Sequence, residues 1–216
     1  GLQPSQGRIL IEGQDLAGLT NKERARKIAY VMQDTAIDFE FSVLDYVLMG
    51  RYPYLRVLQN EGTADLASAR KAMEITNTWD LREQNINEIS GGERQRVVVA
   101  RALAQETPIV LLDEPVSQLD LYHQLELLDT LREMVTRYGA TVVAVLHDLN
   151  LAAQYSDYLV LLNKGKIIKE GSPAEIITNE VLAPVYNLEV QVAQNPATGR
   201  PYIIPLRANQ TASNMD

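Results

Sequence analysis

The chain predicts an α/β protein built on a parallel sheet, and three observations carry that expectation. Residues 109–112 are a continuous apolar run of strand length, which suits a strand buried on both faces, and residues 141–146 read as another buried-type strand. Each run ends in polar residues, Asp113-Glu114 and His147-Asp148, and open α/β sheets put ligands at the carboxyl ends of their strands. Between them, residues 121–137 read as an amphipathic helix with Leu121, Leu125, Leu128, Leu131 and Val135 on one face.

The remaining elements follow in order. Residues 1–7 read as a helix-to-strand connection entered midway. Residues 8–12 read as a strand, Gly13-Gln14 as a turn, and residues 21–27 as a short charged helix capped by Thr20. A second strand spans 28–32 and ends at Gln33. Ser42 is placed to cap the next helix, and Met49-Gly50-Arg51-Tyr52-Pro53-Tyr54 is an aromatic segment punctuated by Gly50 and Pro53. Residues 59–63 form a polar loop. Residues 64–76 read as a helix, with Ala69, Ala72, Met73 and Thr76 opposite a charged face of Asp65, Arg70, Lys71 and Glu74. Ser90-Gly91-Gly92 opens another helix that runs to Gln105. After the strand at 141–146 come a helix at 149–155 and a hairpin turning at Asn163-Lys164-Gly165. A short helix starts at Ser172-Pro173, as Ser N-caps and Pro at the first helical position favour. A last hairpin pairs 189–193 with 202–206, and residues 207–216 read as a disordered polar tail.

Composition bounds the function. With 216 residues, 46% of them hydrophobic, the chain can hold one large domain or a domain with a lobe. There is no cysteine, so disulfides and thiolate metal sites are excluded. The net charge of −8 argues against general nucleic-acid binding, which runs on counterion release by Lys and Arg clusters. No apolar run reaches the roughly 18 residues that would cross a membrane, and no signal-peptide pattern opens the chain.

Three stretches carry chemistry. A helix N-terminus presents unpaired N–H groups and the positive end of the helix dipole, and glycines let an anion approach. Ser90-Gly91-Gly92-Glu93 therefore suits a phosphate, or is an ordinary Ser N-cap after a Gly turn. Asp113 and Glu114 suit a Mg²⁺ ligand and a general base, or form a solvated turn before Pro115. Ser117-Gln118-Leu119-Asp120 is a loop ending in a carboxylate.

In this order and spacing the stretches resemble the ATP-binding cassette (ABC) ATPases, over nearly the whole chain. Ser90 to Glu93 resembles the signature motif, Asp113-Glu114 the Walker B pair with its catalytic Glu, and residues 117–120 the D-loop. Ile89, Glu93, Val116 and Gln118 stand where Leu, Gln, Thr and Ala are common in the family. Gln33 matches the Q-loop glutamine and His147 the switch histidine; seen alone, each is a polar residue at a strand end. The Arg51 to Tyr54 segment, the Leu121-Tyr122-His123-Gln124 opening and the final hairpin resemble importers for iron–siderophore, haem and cobalamin. The segment at 51–54 is read equally as local packing or as part of a lobe that receives a membrane subunit, and His123 as a surface or helix-packing residue.

The resemblance implies a P-loop NTPase-like ABC cassette with a helical lobe and an antiparallel β portion. Its implied divisions are an α/β core (1–33 and 106–180), a signature lobe (34–105), a hairpin extension (181–206) and the tail (207–216). It implies ATP and Mg²⁺, with Asp113 and Gln33 at the metal, Glu114 as general base, Gln33 at the attacking water and His147 donating to the γ-phosphate. Ser90, Gly91, Gly92 and Glu93 would serve the nucleotide of a second, identical subunit, and Asp120 would tie the two sites together. The implied partners are that second subunit, an integral membrane permease and, indirectly, a solute-binding protein, at the cytoplasmic face of the membrane. The family's Gly-x-x-x-x-Gly-Lys-[Ser/Thr] loop is absent from the sequence. The expectation is a cassette truncated at its N-terminus and inactive as it stands. The alternatives are a non-transport ABC ATPase of DNA repair or translation and a non-catalytic remnant.

Overall fold

The computed structural model describes residues 4–32, 40–56, 58–117 and 119–208, so Gln33, Gln118 and the tail from residue 209 lie outside the described residues. The chain divides into two compact units, residues 1–145 and 146–216.

The first unit opens with a small antiparallel pair, β1 (Leu10–Ile11) and β2 (Gln14–Asp15), turned by Glu12 and Gly13 at positive φ. Helix α1 (Asn21–Ala25) starts at Thr20, whose side chain and Glu23 form a reciprocal capping box. Strand β3 (Ile28–Val31) is followed by α2 (Val43–Leu48), capped by Ser42, then α3 (Thr63–Ile75) and α4 (Gly91–Ala104). Then come β4 (Ile109–Asp113), α5 (Leu121–Tyr138) and β5 (Thr141–Val145). Strands β3, β4 and β5 form a parallel sheet with β4 in the centre.

The sheet has unlike faces. Ala29, Val31, Val110 and Leu112 are buried, whereas Tyr30, Val143 and Val145 on the strands are each half or more exposed. The central strand β4, of which burial on both faces is expected, has Val110 and Leu112 buried and Ile109 and Leu111 half-buried. Helices α4 and α5 lie against the sheet. The core is densest along α4, where Val97, Val98, Val99, Ala100 and Ala104 are all fully buried. Burying such a Val stabilises by roughly 1.5–3 kcal/mol each.

Two amphipathic readings also change. Along α5 the buried residues are Leu127, Leu128, Leu131 and Met134, while Leu121 is 67% exposed and Leu125 37%. The first turn of α5 therefore projects beyond the packed face. On α3 the expected Ala69, Ala72, Met73 and Thr76 are buried, and so is Asp65, which the periodicity placed on the charged face. It goes inside because it accepts from the Gly62 N–H and from Arg51, and a buried carboxylate needs such partners.

The second unit holds α6 (Leu149–Tyr155), the antiparallel pair β6 (Leu159–Asn163) and β7 (Lys166–Gly171), α7 (Pro173–Ile176), α8 (Asn179–Tyr186) and the hairpin β8 (Leu188–Gln194) and β9 (Pro201–Ala208). Ser172 opens α7 with a capping box to Glu175. Ala153, Leu161, Ile176, Leu182, Val190 and Ile203 make its core. Helix α8, which carries Pro184 inside it, has no counterpart in the sequence reading.

Candidate functional site

The signature turn is built by α4. Ser90 is its N-cap, in extended conformation, and a capping box closes around it: Ser90 Oγ accepts from the Glu93 N–H at 3.3 Å, and Glu93 Oε2 accepts from the Ser90 N–H at 2.8 Å. The Ser90 hydroxyl also donates to Glu93 Oε2 at 2.7 Å. These bonds, the hydroxyl contact first, hold the Glu93 carboxyl below its ordinary pKa of 4.5, with Arg96 and His123 adding positive charge nearby. The box leaves the N–H groups of Gly91 and Gly92 as the first-turn donors outside it. A Cβ at Gly91 would meet nothing within 4 Å, so the chain leaves open room over that backbone. The end of the helix thus fits an incoming anion, with one condition: Ser90 must release Glu93 to donate to it.

Strand β4 delivers Asp113 and Glu114 to its carboxyl end. Both are half-buried, and Tyr30 Oη on β3 donates to Asp113 Oδ2 at 3.4 Å. Glu114 has φ of +48°, in the left-handed region, directly before Pro115. A residue preceding proline is pushed toward extended backbone, so this conformation stores about 1–3 kcal/mol of strain. The turn is held by Ser117, whose N–H and Oγ–H both donate to the Glu114 carbonyl, at 3.2 and 3.1 Å. No group of three or more His, Cys, Asp or Glu is arranged to hold a metal among the described residues. One carboxylate at a phosphate site is still a fitting donor set for Mg²⁺, which keeps most of its waters and takes phosphate oxygens.

Asp120 is exposed and caps α5, accepting from the His123 N–H at 3.0 Å and pairing with His123 Nδ1 at 2.9 Å. The backbone N–H of His123 is the main cause that keeps the Asp120 carboxyl below its ordinary value. The His123 ring also lies beside the signature turn: a Cβ at Gly92 would meet it at 3.7–3.8 Å. Gln124 Nε2 donates to the carbonyls of Val116 and Leu119, at 3.1 and 3.0 Å, which fixes the shape of the loop before Asp120. The structure thus brings the Gly92 turn, His123 and Asp120 together. His123 and Gln124 are site-shaping residues to which the sequence reading gave no such role; their position just after the Asp120 loop was the available signal.

His147 belongs to the second unit, where it is exposed, and Asp148 after it caps α6 by accepting from Asn150 and Leu151. Gln33 lies outside the described residues. In the segment at 51–54, Arg51 and Tyr54 turn inward and pack against α4, while Tyr52 is 56% exposed. A cavity of about 390 Å³ lined by Lys71, Ile75, Leu103, Pro108, Val110 and Tyr138 opens at the amino end of β4, away from Asp113 and Glu114. No helix among the described residues is long and apolar enough to cross a membrane.

Comparison with known proteins agrees with this geometry. Residues 1–117 match the family described as ABC transporter. The chain is 38% identical over 205 residues to the ferric enterobactin transport ATP-binding protein FepC of Escherichia coli (strain K12), covering 95% of this chain and 76% of that protein. Among solved structures it is similar to a metal-chelate type ABC transporter in an inward-facing conformation, with a TM-score of 0.77 and 34% identity over 83% of this chain and 72% of the other. It is also similar to MJ0796, a bacterial ABC transporter cassette solved as a dimer, with a TM-score of 0.69 and 27% identity over 79% of this chain and 75% of the other. From its motifs, its fold and these likenesses, the chain belongs to the ABC transporter family and has the fold of that family's ATP-binding cassette.

Proposed function

We propose that this chain is the ATP-binding and ATP-hydrolysing subunit of an importer for a metal chelate of the siderophore, haem or cobalamin kind. The observation that carries the reading is the likeness to a ferric enterobactin transport protein, which runs over 95% of the chain and so includes the 51–54 segment and the final hairpin. The cassette works as a homodimer against an integral membrane permease at the cytoplasmic face, and a solute-binding protein delivers the chelate to that permease. The dimeric MJ0796 cassette supports the pairing.

In this reading each γ-phosphate is received by the Ser90 hydroxyl and the Gly91 and Gly92 N–H groups of the opposite protomer. Glu114 accepts the proton of the attacking water, and Gln33 orients that water. His147 donates a hydrogen bond to the γ-phosphate, and Asp120 joins the two sites across the interface. Mg²⁺, held through Asp113 and Gln33, supplies neutralising charge at the phosphates when bound. The family's phosphate-cradling loop and its Lys are not found in residues 1–216, and these residues alone do not turn over ATP.

The test is reconstitution of the cassette, expressed from its complete reading frame, with its cognate permease in sealed vesicles. ATP-dependent uptake of a ferric siderophore, haem or cobalamin is the expected result. ATP turnover unaffected by the permease, with none of the three transported, would overturn the importer reading.

A further inference from the structure

The start of α4 is occupied by a group of the chain's own. Glu93 Oε2 accepts from both the N–H and the hydroxyl of Ser90, at 2.8 and 2.7 Å. The same box closes α1 and α7. Glu23 Oε2 accepts from the Thr20 N–H and hydroxyl at 2.7 Å each, and Glu175 Oε2 from those of Ser172 at 2.8 and 2.6 Å. A carboxylate three residues on is thus the ordinary occupant of such a turn in this chain. At α4 the capped hydroxyl is also the one that the reading above gives to a phosphate. A hydroxyl carries one proton, and the oxygens of an ionised carboxylate or phosphate only accept. Ser90 Oγ–H can therefore make one full hydrogen bond, to Glu93 or to a phosphate.

The surroundings offer a displaced carboxylate somewhere to go. Arg96 stands three residues further along α4, a spacing at which helical side chains are neighbours, and it adds positive charge beside Glu93. Its side chain is only 11% exposed, with Nη1 at 3.4 Å from Glu126 Oε2 on α5. Neither Nε nor Nη1 of Arg96 finds a hydrogen-bond acceptor among the described residues. A guanidinium with buried, unused donors favours the arrival of a second carboxylate. The His123 ring, beside Gly92, is a further source of positive charge at Glu93.

We propose that Glu93 is an internal competitor for the signature turn: it holds the Ser90 hydroxyl in the free cassette, and the γ-phosphate bound by the opposite protomer closes the site only by displacing it toward Arg96. The inference rests on the dimeric ATP-site reading above and adds to it what the phosphate must first remove. Two effects act together. Carboxylate and phosphate contend for one proton, and they bring like charges to one helix end. A glutamine in the same place would keep the box without the contest. It is neutral, and its amide can donate to Ser90 Oγ and leave the hydroxyl proton for the phosphate.

The test uses the complete cassette carrying Glu114→Gln, so that ATP is bound without being consumed, and follows ATP-driven dimerisation by light scattering. This parent is compared with versions that add Glu93→Gln or Glu88→Gln. Glu88 is an exposed carboxylate two residues before Ser90 and outside the box. At a salt concentration of about 0.05 M, Glu93→Gln should reach half-dimerisation at an ATP concentration about three- to five-fold lower than its parent. At about 0.5 M the gap should narrow, because charges near the surface are then screened. Glu88→Gln should shift the midpoint by less than about two-fold. An unchanged or higher midpoint in Glu93→Gln would overturn the competitor and leave Glu93 as a cap alone. An equal shift in Glu88→Gln would also overturn it, since any nearby negative charge would then have the same effect. If none of the three proteins dimerised with ATP, the dimeric reading would fall, and the competitor with it.

Discussion

Helix α4 has one end made to be fixed and one made to be available. Its C-terminus is buried, met by Arg51, Tyr54 and the close approach of Gly50. Its N-terminus is exposed at Ser90 and Gly91 and satisfied by its own third residue, Glu93. Bonds at the first end join distant parts of the chain, so losing one frees a buried charge or carbonyl. Bonds at the second span three residues and can be exchanged for a ligand. The difference separates what positions the signature turn from what the turn does.

That contrast can be broken at four places, taken from the largest expected effect to the smallest. Arg51→Met leaves Asp65 buried without its cation and should destabilise the protein by about 3–5 kcal/mol, read as a shift in the denaturant midpoint. Gly50→Ala puts a methyl group into backbone and should cost about 1–3 kcal/mol by the same measurement. Ser90→Ala removes an exposed cap and should cost about 0.5–2 kcal/mol. Glu93→Gln should change stability at neutral pH least.

The last variant has a signature in pH. The folded-state pKa of Glu93 is lowered, chiefly by the Ser90 hydroxyl and then by the Ser90 N–H. A lowered carboxyl contributes stability that is fully present above its unfolded value, about 4.5, and is lost as pH falls through the folded value. Unfolding measured from neutral pH downward should therefore lose stability less steeply below about pH 4.5 in Glu93→Gln than in wild type. Identical acid limbs would show that the box contributes nothing there.

Much of this was legible in the sequence, for reasons that are local. Caps are short-range chemistry, so Thr20, Ser42, Ser90 and Ser172 each announced the helix that follows. The strand ending at Asp113 and the helix at 149–155 were legible because apolar runs and polar stops lie within one element. What was not legible depends on partners distant in sequence. A strand as rich in apolar residues as β5 cannot say which of them will be covered, and Val143 and Val145 are exposed. Periodicity placed Asp65 outside because it cannot see Arg51, fourteen residues earlier, folding back to meet it. Leu121 and Leu125 fit the helical stripe but lie beyond the surface that α5 covers. The left-handed backbone of Glu114 runs against the preference of a residue before proline, so no local rule could have suggested it.

Of the candidate site residues, Glu114 carries the heaviest chemical assignment. The most direct measurement is ATP turnover and ATP binding by the cassette from its complete reading frame, wild type against Glu114→Gln. The expected result is a loss of turnover of about 10²–10⁴-fold with ATP binding retained, the range for a group that moves a proton in the transition state. Near-normal turnover in that variant would contradict the assignment of Glu114 as the base.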